Sequence, residues 1–212
     1  MNSKSTIIST LVCLLPITLS VTLFNKLPDQ IAVHFNNAGV ADSYLPKAVA
    51  AFGLPLFLAA INLYSHFRIN KDPKNGNVAD SLKRLSKWLI PVISVVFVPI
   101  TLFMSMGTRF SITLIAQALV GVVVVICGNY LPKCKRNYTI GIKLPWTLDN
   151  DDNWNKTHYY AGFVWVIGGI FVLLNAFFQT SWLVMIGIII LLMVLPYAYS
   201  YLFYKKQQKE VK

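Results

Sequence analysis

The chain has 212 residues, of which 56% are apolar and only 13% charged, whereas an ordinary soluble domain carries about 25% charged residues. With a mean hydropathy of +0.58 and its apolar residues gathered into long runs, this composition excludes a soluble globular domain and predicts an all-α integral membrane protein. The net charge of +11 does not indicate nucleic acid, because no nucleic-acid motif accompanies it and its distribution has a membrane explanation.

Six segments lack Lys, Arg, Asp and Glu over a length sufficient to cross a bilayer, at roughly 5–24, 48–67, 88–107, 111–131, 161–180 and 182–203. Each is about 20 residues, or about 30 Å of helix, which matches the hydrocarbon core. The first is read as a retained span, since its apolar stretch is too long for a signal peptide and no small-x-small cleavage site follows Phe24. Pro16, Pro55, Pro91, Pro99 and Pro196 lie in or near spans and are expected to bend them locally.

Between the first two spans, residues 25–47 read NKLPDQIAVHFNNAGVADSYLPK. Ile31, Val33 and Phe35 alternate with Ala32 and His34, and the turn-prone Asn36-Asn37-Ala38-Gly39 follows. This pattern predicts a short hairpin on the outer membrane surface, with His34 directed into water. The fourth span contains Gln117 and ends near Asn129, and its many Val, Leu and Ile residues offset one amide inside the bilayer. Gly121 and Gly128 share a face of that span, and Gly162 and Gly169 repeat the spacing in the fifth, so these two helices are expected to pack closely. Asn62 and Asn175 are expected to be interhelical hydrogen-bond partners. No ionisable side chain is placed within the spans, which argues against a pump or proton-coupled carrier.

Residues 128–158, GNYLPKCKRNYTIGIKLPWTLDNDDNWNKTH, form the most informative run. After Pro145-Trp146, residues 147–150 offer helix-capping side chains, and Asp151 and Asp152 place negative charge at the positive end of a helix leading into the fifth span. Asp152 and Lys156 have the favourable i, i+4 order, and Trp154, His158 and Ala161 fall on one face. Trp146 and Trp154 suit the headgroup level as interfacial anchors. His158, Asp149, Asp151, Asp152 and Cys134, with His66 at similar depth, match no hydrolytic or zinc spacing. No catalytic residue, metal site or cofactor is therefore expected. Cys13, Cys127 and Cys134 form no C-x-x-C pair, and they read as two buried thiols and one loop thiol.

Orientation follows from the cations. With both termini in the cytoplasm, sixteen of the nineteen Lys and Arg fall on the inner side and only Lys26, Lys47 and Arg109 on the outer. Such an excess in short loops predicts both termini inside, with the basic connectors facing anionic membrane lipids. The expected organisation is a single membrane domain over 1–212. It comprises a two-span unit at 1–67 with its outer loop at 25–47, and a four-span unit at 88–203 carrying an inner loop at 132–160.

Gly128-Asn129, Pro132, Asn137, Gly141, Pro145-Trp146-Thr147-Leu148, Trp154 and Thr157-His158 resemble the signature of the SdpI family of bacterial membrane immunity proteins. Lys143 stands where many members have Arg, which keeps the charge but weakens bidentate pairing. Leu27-Pro28-Asp29, His34-Phe35 and Gly39 resemble the domain of unknown function often found at the start of these proteins. The resemblance implies a six-span, non-enzymatic protein of the bacterial cell membrane that protects against a secreted, membrane-active peptide toxin. It also implies a small transcriptional repressor held at the membrane. On this reading Pro28, Asp29, His34, Phe35 and Gly39 are expected toxin contacts, and the inner loop carries structural or partner contacts without touching nucleic acid itself. The alternative is a small carrier or export component for apolar molecules.

Overall fold

The computed structural model describes residues 3–36, 39–179 and 181–210. Asn37 and Ala38 of the expected turn, Thr180 at the end of the fifth span and Lys212 among the inner cations lie outside the described residues. Helix dominates because a bilayer offers the backbone no partner, so each apolar run must satisfy its own N–H and C=O groups. Among the described residues, six helical stretches are long and apolar enough to cross a membrane: Lys4–Lys26, Val49–Lys71, Asp80–Ser105, Ile112–Lys133, Asp151–Phe178 and Trp182–Glu210.

The elements in chain order are α1 (Ser3–Leu14), α2 (Pro16–Leu23), strands β1 (Gln30–Phe35) and β2 (Ala41–Pro46), α3 (Leu54–Lys71), α4 (Asp80–Ser105), α5 (Ile112–Tyr130), the short α6 (Pro145–Asp149), α7 (Asp151–Phe178) and α8 (Trp182–Glu210). Pro16 has no N–H to donate, and it separates α1 from α2. Pro91, Pro99 and Pro196 are accommodated inside α4 and α8. α8 runs well past the apolar stretch, so its last turns carry Lys205, Lys206 and Lys209 beyond the span.

The chain divides into two compact units, 1–70 with 84–113, and 71–83 with 114–212. This grouping differs from the expected division, because most of α4 belongs with the first two spans. Ser94 on α4 donates to the Cys13 carbonyl at 2.7 Å, and Val98 and Leu102 join Leu27, Ile31, Ala50 and Ala51 in a buried cluster. Residues 88–107 are thus held by the first unit through a hydrogen bond and apolar packing that hydropathy cannot register.

In that unit β1 and β2 pair antiparallel, from Gln30 opposite Pro46 to Phe35 opposite Ala41. Ile31 is fully buried while His34 is exposed and paired with Asp42. Asn62 on α3 donates to Ser9 at 3.0 Å and to Thr10 at 3.2 Å, the interhelical role expected of it. One expectation is corrected here. His66 lies within α3 and is buried, hydrogen-bonded to Thr6 and Ser9 at 2.9 Å each, so an ionisable ring does sit inside a spanning helix.

In the second unit α5 and α7 meet along their glycines. A methyl group on Gly128 would lie 2.7 Å from the Val166 backbone nitrogen, and one on Gly169 would lie 2.9 Å from that of Val125. The helices touch backbone to backbone, as the glycine spacing predicts. Asn175 donates to Gln117 at 3.1 Å, which pairs the two amides across the same interface.

Candidate functional site

The connector from α5 to α7 folds over the start of α7 and encloses a polar core. Asn150 is extended and its side chain accepts from the Asn153 N–H at 2.9 Å, capping α7. One turn in, Trp154 is fully buried and donates its indole N–H to the Cys134 carbonyl at 2.8 Å. His158 stacks on that ring at 4.0 Å between centroids. Trp154 is therefore a core residue and not the lipid-facing anchor expected. Its i, i+4 relation to His158 turns both rings inward.

Both nitrogens of His158 are occupied. Nδ1–H donates to the Trp154 carbonyl at 2.7 Å, and Nε2 accepts from the Ile142 N–H at 3.0 Å. Neither is left for metal binding or proton transfer. Gly141, one residue before Ile142, has φ +131°, and a methyl group there would lie 2.5 Å from His158 Nε2. Only glycine brings the connector this close to the ring.

The remaining signature residues fix the connector itself. Asn137 is buried, and its Oδ1 accepts from the N–H groups of Thr139 and Ile140, closing a local turn. Lys143 donates to the carbonyls of Tyr138 and Thr139. Pro145 opens α6, where a missing N–H costs nothing. The Thr147 hydroxyl accepts from the Leu144 N–H at 2.8 Å and lies 2.8 Å from the Ile142 carbonyl. The Leu148 carbonyl accepts from Arg136 at 2.7 Å, and the Arg136 guanidinium also pairs with Asp151 at 2.7 Å. Pro132 packs on Gly162, where a methyl group would lie 2.6 Å from its ring. Asn129 is exposed at the end of α5 and stands apart from this cluster.

Trp146 is half-buried on the far side of α6. Its N–H donates to Ser200 at 2.8 Å; Ser200 donates to Asn153, which also accepts from Thr157. Tyr197, Tyr201 and Tyr204 of α8 surround the indole with centroids 5.5–5.8 Å away. Trp146→Ala should lower the amount of folded protein in the membrane more than Lys209→Ala, whose side chain is exposed at the end of α8. Membrane-fraction immunoblots and thermal unfolding in detergent measure this; equal values for both variants would remove the anchoring role.

Sequence reasoning missed Asp72. It is buried, and its carboxylate accepts from the Thr139 hydroxyl and from the N–H groups of Lys74 and Tyr138, the latter two at 2.8 and 3.0 Å. The segment after α3 is thereby tied to the Asn137 turn. Burial alone would raise this carboxyl, but the bonds from Thr139, Lys74 and Tyr138 outweigh it and hold the carboxyl below its ordinary value. Because the folded value is depressed, the stabilisation is complete above the ordinary carboxylate value and disappears as pH falls through the lower folded one. Asp72→Asn should therefore lose stability at neutral pH and show a flatter acid limb of unfolding temperature against pH. A limb identical to wild type would refute the tether.

Cys134 sits beneath the same segment, its sulfur accepting from the Ala79 N–H at 3.2 Å. Burial raises its thiol above the ordinary range despite that bond and nearby Lys83, which suits a packed thiol and not a nucleophile. Among the described residues, no group of three or more His, Cys, Asp or Glu converges to hold a metal.

The residues expected to meet a toxin lie together in the first unit. Pro28, Phe35 and Gly39 line an open cleft of about 320 Å³ with Tyr44 and Met104. Asp29 is exposed and pairs with Lys47 at 3.2 Å, and His34 faces Asp42 outside the cleft.

Comparison with known proteins gives the chain its relatives. Residues 133–200 match the SdpI/YfhL protein family, and residues 11–59 match a domain of unknown function, DUF1648. Residues 133–200 are thus similar to an SdpI-family domain. The family match covers α6, α7 and α8 as far as Ser200, with the buried core between them. Over 205 residues the chain is 26% identical to Immunity protein SdpI of Bacillus subtilis (strain 168), covering 96% of this chain and 97% of that protein. No solved structure matches. With six helices able to span among the described residues, and with this similarity, the chain is a multi-pass protein of the bacterial cell membrane.

Proposed function

We propose that this chain is an SdpI-family, non-enzymatic immunity protein that protects a bacterium from a secreted, membrane-active peptide toxin. The observation that carries the proposal is the end-to-end similarity to Immunity protein SdpI, which includes both the SdpI-family domain and the segment preceding it. In the orientation that puts sixteen of nineteen cations inside, both termini are cytoplasmic and the β1–β2 hairpin faces the medium. Its cleft, lined by Pro28, Phe35, Gly39 and Tyr44, supports contact with an apolar peptide side chain. The connector over α7 carries structural or partner contacts, and a small transcriptional repressor held at the membrane is the cytoplasmic partner that the resemblance implies.

The test is protection. A Bacillus subtilis strain lacking its own Immunity protein SdpI, supplied with this chain, should survive the toxin that the relative counters. A Phe35→Ser variant of equal abundance should protect less. Undiminished killing despite membrane insertion at the relative's level would reject the proposal. The orientation is checked separately: a cysteine introduced at Asn36 should react with an impermeant reagent in intact cells, and one at Asn155 only after permeabilisation.

A further inference from the structure

A cleft of about 520 Å³ opens beside the connector, lined by Lys74, Lys133, Lys135, Arg136, Asn77 and Asp151 among others. Four cations and one carboxylate therefore share it. Arg136 is already committed to Asp151 and to the Leu148 carbonyl, so that pair shapes the wall. Among the described residues, the ammonium groups of Lys74, Lys133 and Lys135 have no carboxylate partner. Two of them are held over aromatic faces, Lys74 at 5.2 Å from the Tyr138 ring centroid and Lys133 at 4.5 Å from that of Tyr130. A ring satisfies only one side of an ammonium group and leaves N–H donors for an anion.

The walls are fixed independently of any ligand. Asn77 donates to the Arg136 carbonyl at 2.7 Å and accepts from the Lys135 N–H at 2.9 Å. Cys134, just before Lys135, has its carbonyl held by the Trp154 indole. Binding here needs little ordering of the backbone, which removes one cost of association. Position narrows the ligand class. Lys133 ends one spanning helix and Asp151 begins another, so the cleft stands where hydrocarbon gives way to headgroups. Basic pockets between spanning helices at that depth suit phosphate-bearing headgroups, and lysine binds phosphate as a compact point charge.

We propose that this cleft is a phosphate-ester site, filled from the bilayer by the headgroup of an anionic phospholipid. The test uses the full chain in detergent and follows lipid retention by native mass spectrometry, with phosphatidylglycerol and phosphatidylcholine as probes. Phosphatidylglycerol should bind at least about tenfold tighter, and the double variant Lys133→Gln with Lys135→Gln should lose about tenfold or more of that affinity. The double variant Lys205→Gln with Lys206→Gln, which removes the same charge from α8, should keep it. Glycerol phosphate identifies the source: competition at low concentration points to a soluble phosphate ester, and failure to compete points to the lipid. Three results would overturn the site: equal binding of the two lipids, equal loss in both double variants, or displacement by a phosphate-free glutamate peptide more effective than by glycerol phosphate.

Discussion

Gly141→Ala should be among the most damaging single-methyl changes in this protein. Two costs combine there. The backbone has φ +131°, a region that side chains enter at about 1–3 kcal/mol. The new methyl group would also lie 2.5 Å from His158 Nε2 and 2.9 Å from the Trp154 ring, and overpacking a tight core typically costs a further ~1–3 kcal/mol. Neither ring can yield easily. Trp154 is held by the Cys134 carbonyl, and His158 is held at both nitrogens. A retreat of the connector instead would break the Ile142–His158 bond and leave a buried acceptor unpaired. Gly107 separates the two costs. Its φ is +96°, and nothing lies within 4 Å of where its methyl group would sit, so Gly107→Ala carries backbone strain alone. Thermal unfolding in detergent should place Gly141→Ala clearly below Gly107→Ala and both below wild type. If the two variants unfold together, the contact with His158 is not what requires glycine at 141.

What was legible in the sequence follows from what each signal measures. Hydropathy located the six spanning helices found among the described residues, because apolar side chains facing lipid or protein must run continuously through the hydrocarbon. It placed helix ends short, as at Asp80, Asp151 and Glu210, because helical hydrogen bonding continues into charged residues once the chain is in water. The Asn150 cap and the Asp152–Lys156 pair at 3.2 Å were readable since both are local. The Trp154–His158 face was readable as a face, but its burial was not, because an amphipathic ring suits an interface and a core equally well. Long-range bonds had no local trace. Asp72 reaches Thr139 across 67 positions, and Ser200 reads as one small residue among aromatic ones until α8 places it against Asn153. The division between the units was hidden for the same reason, since Ser94 and Cys13 lie 81 positions apart.

The glycine seam between α5 and α7 supports the second large effect, that of Gly128→Val. A β-carbon on Gly128 meets backbone on two sides, the Val166 nitrogen at 2.7 Å and the Gly162 carbonyl at 2.9 Å. Backbone cannot rotate aside as a side chain does, so the helices must separate or shift along each other. Within a membrane, close packing carries much of the helix–helix attraction, and no hydrophobic effect stands ready to replace it. Separation would also draw Pro132 off Gly162 and strain the Asn175–Gln117 bond at 3.1 Å. The connector begins at the end of α5 and is capped against α7, so the disturbance travels directly into the Trp154–His158 core. A loss of about 3 kcal/mol is expected, in the range of severe overpacking. Gly187→Val is the matched control, because nothing lies within 4 Å of a methyl group at that helical position. The Gly187 variant should reach the membrane at close to wild-type levels while the Gly128 variant should be depleted there and unfold at a lower temperature in detergent. Matching abundance and unfolding temperature for the two would mean that α5 and α7 do not depend on this close approach.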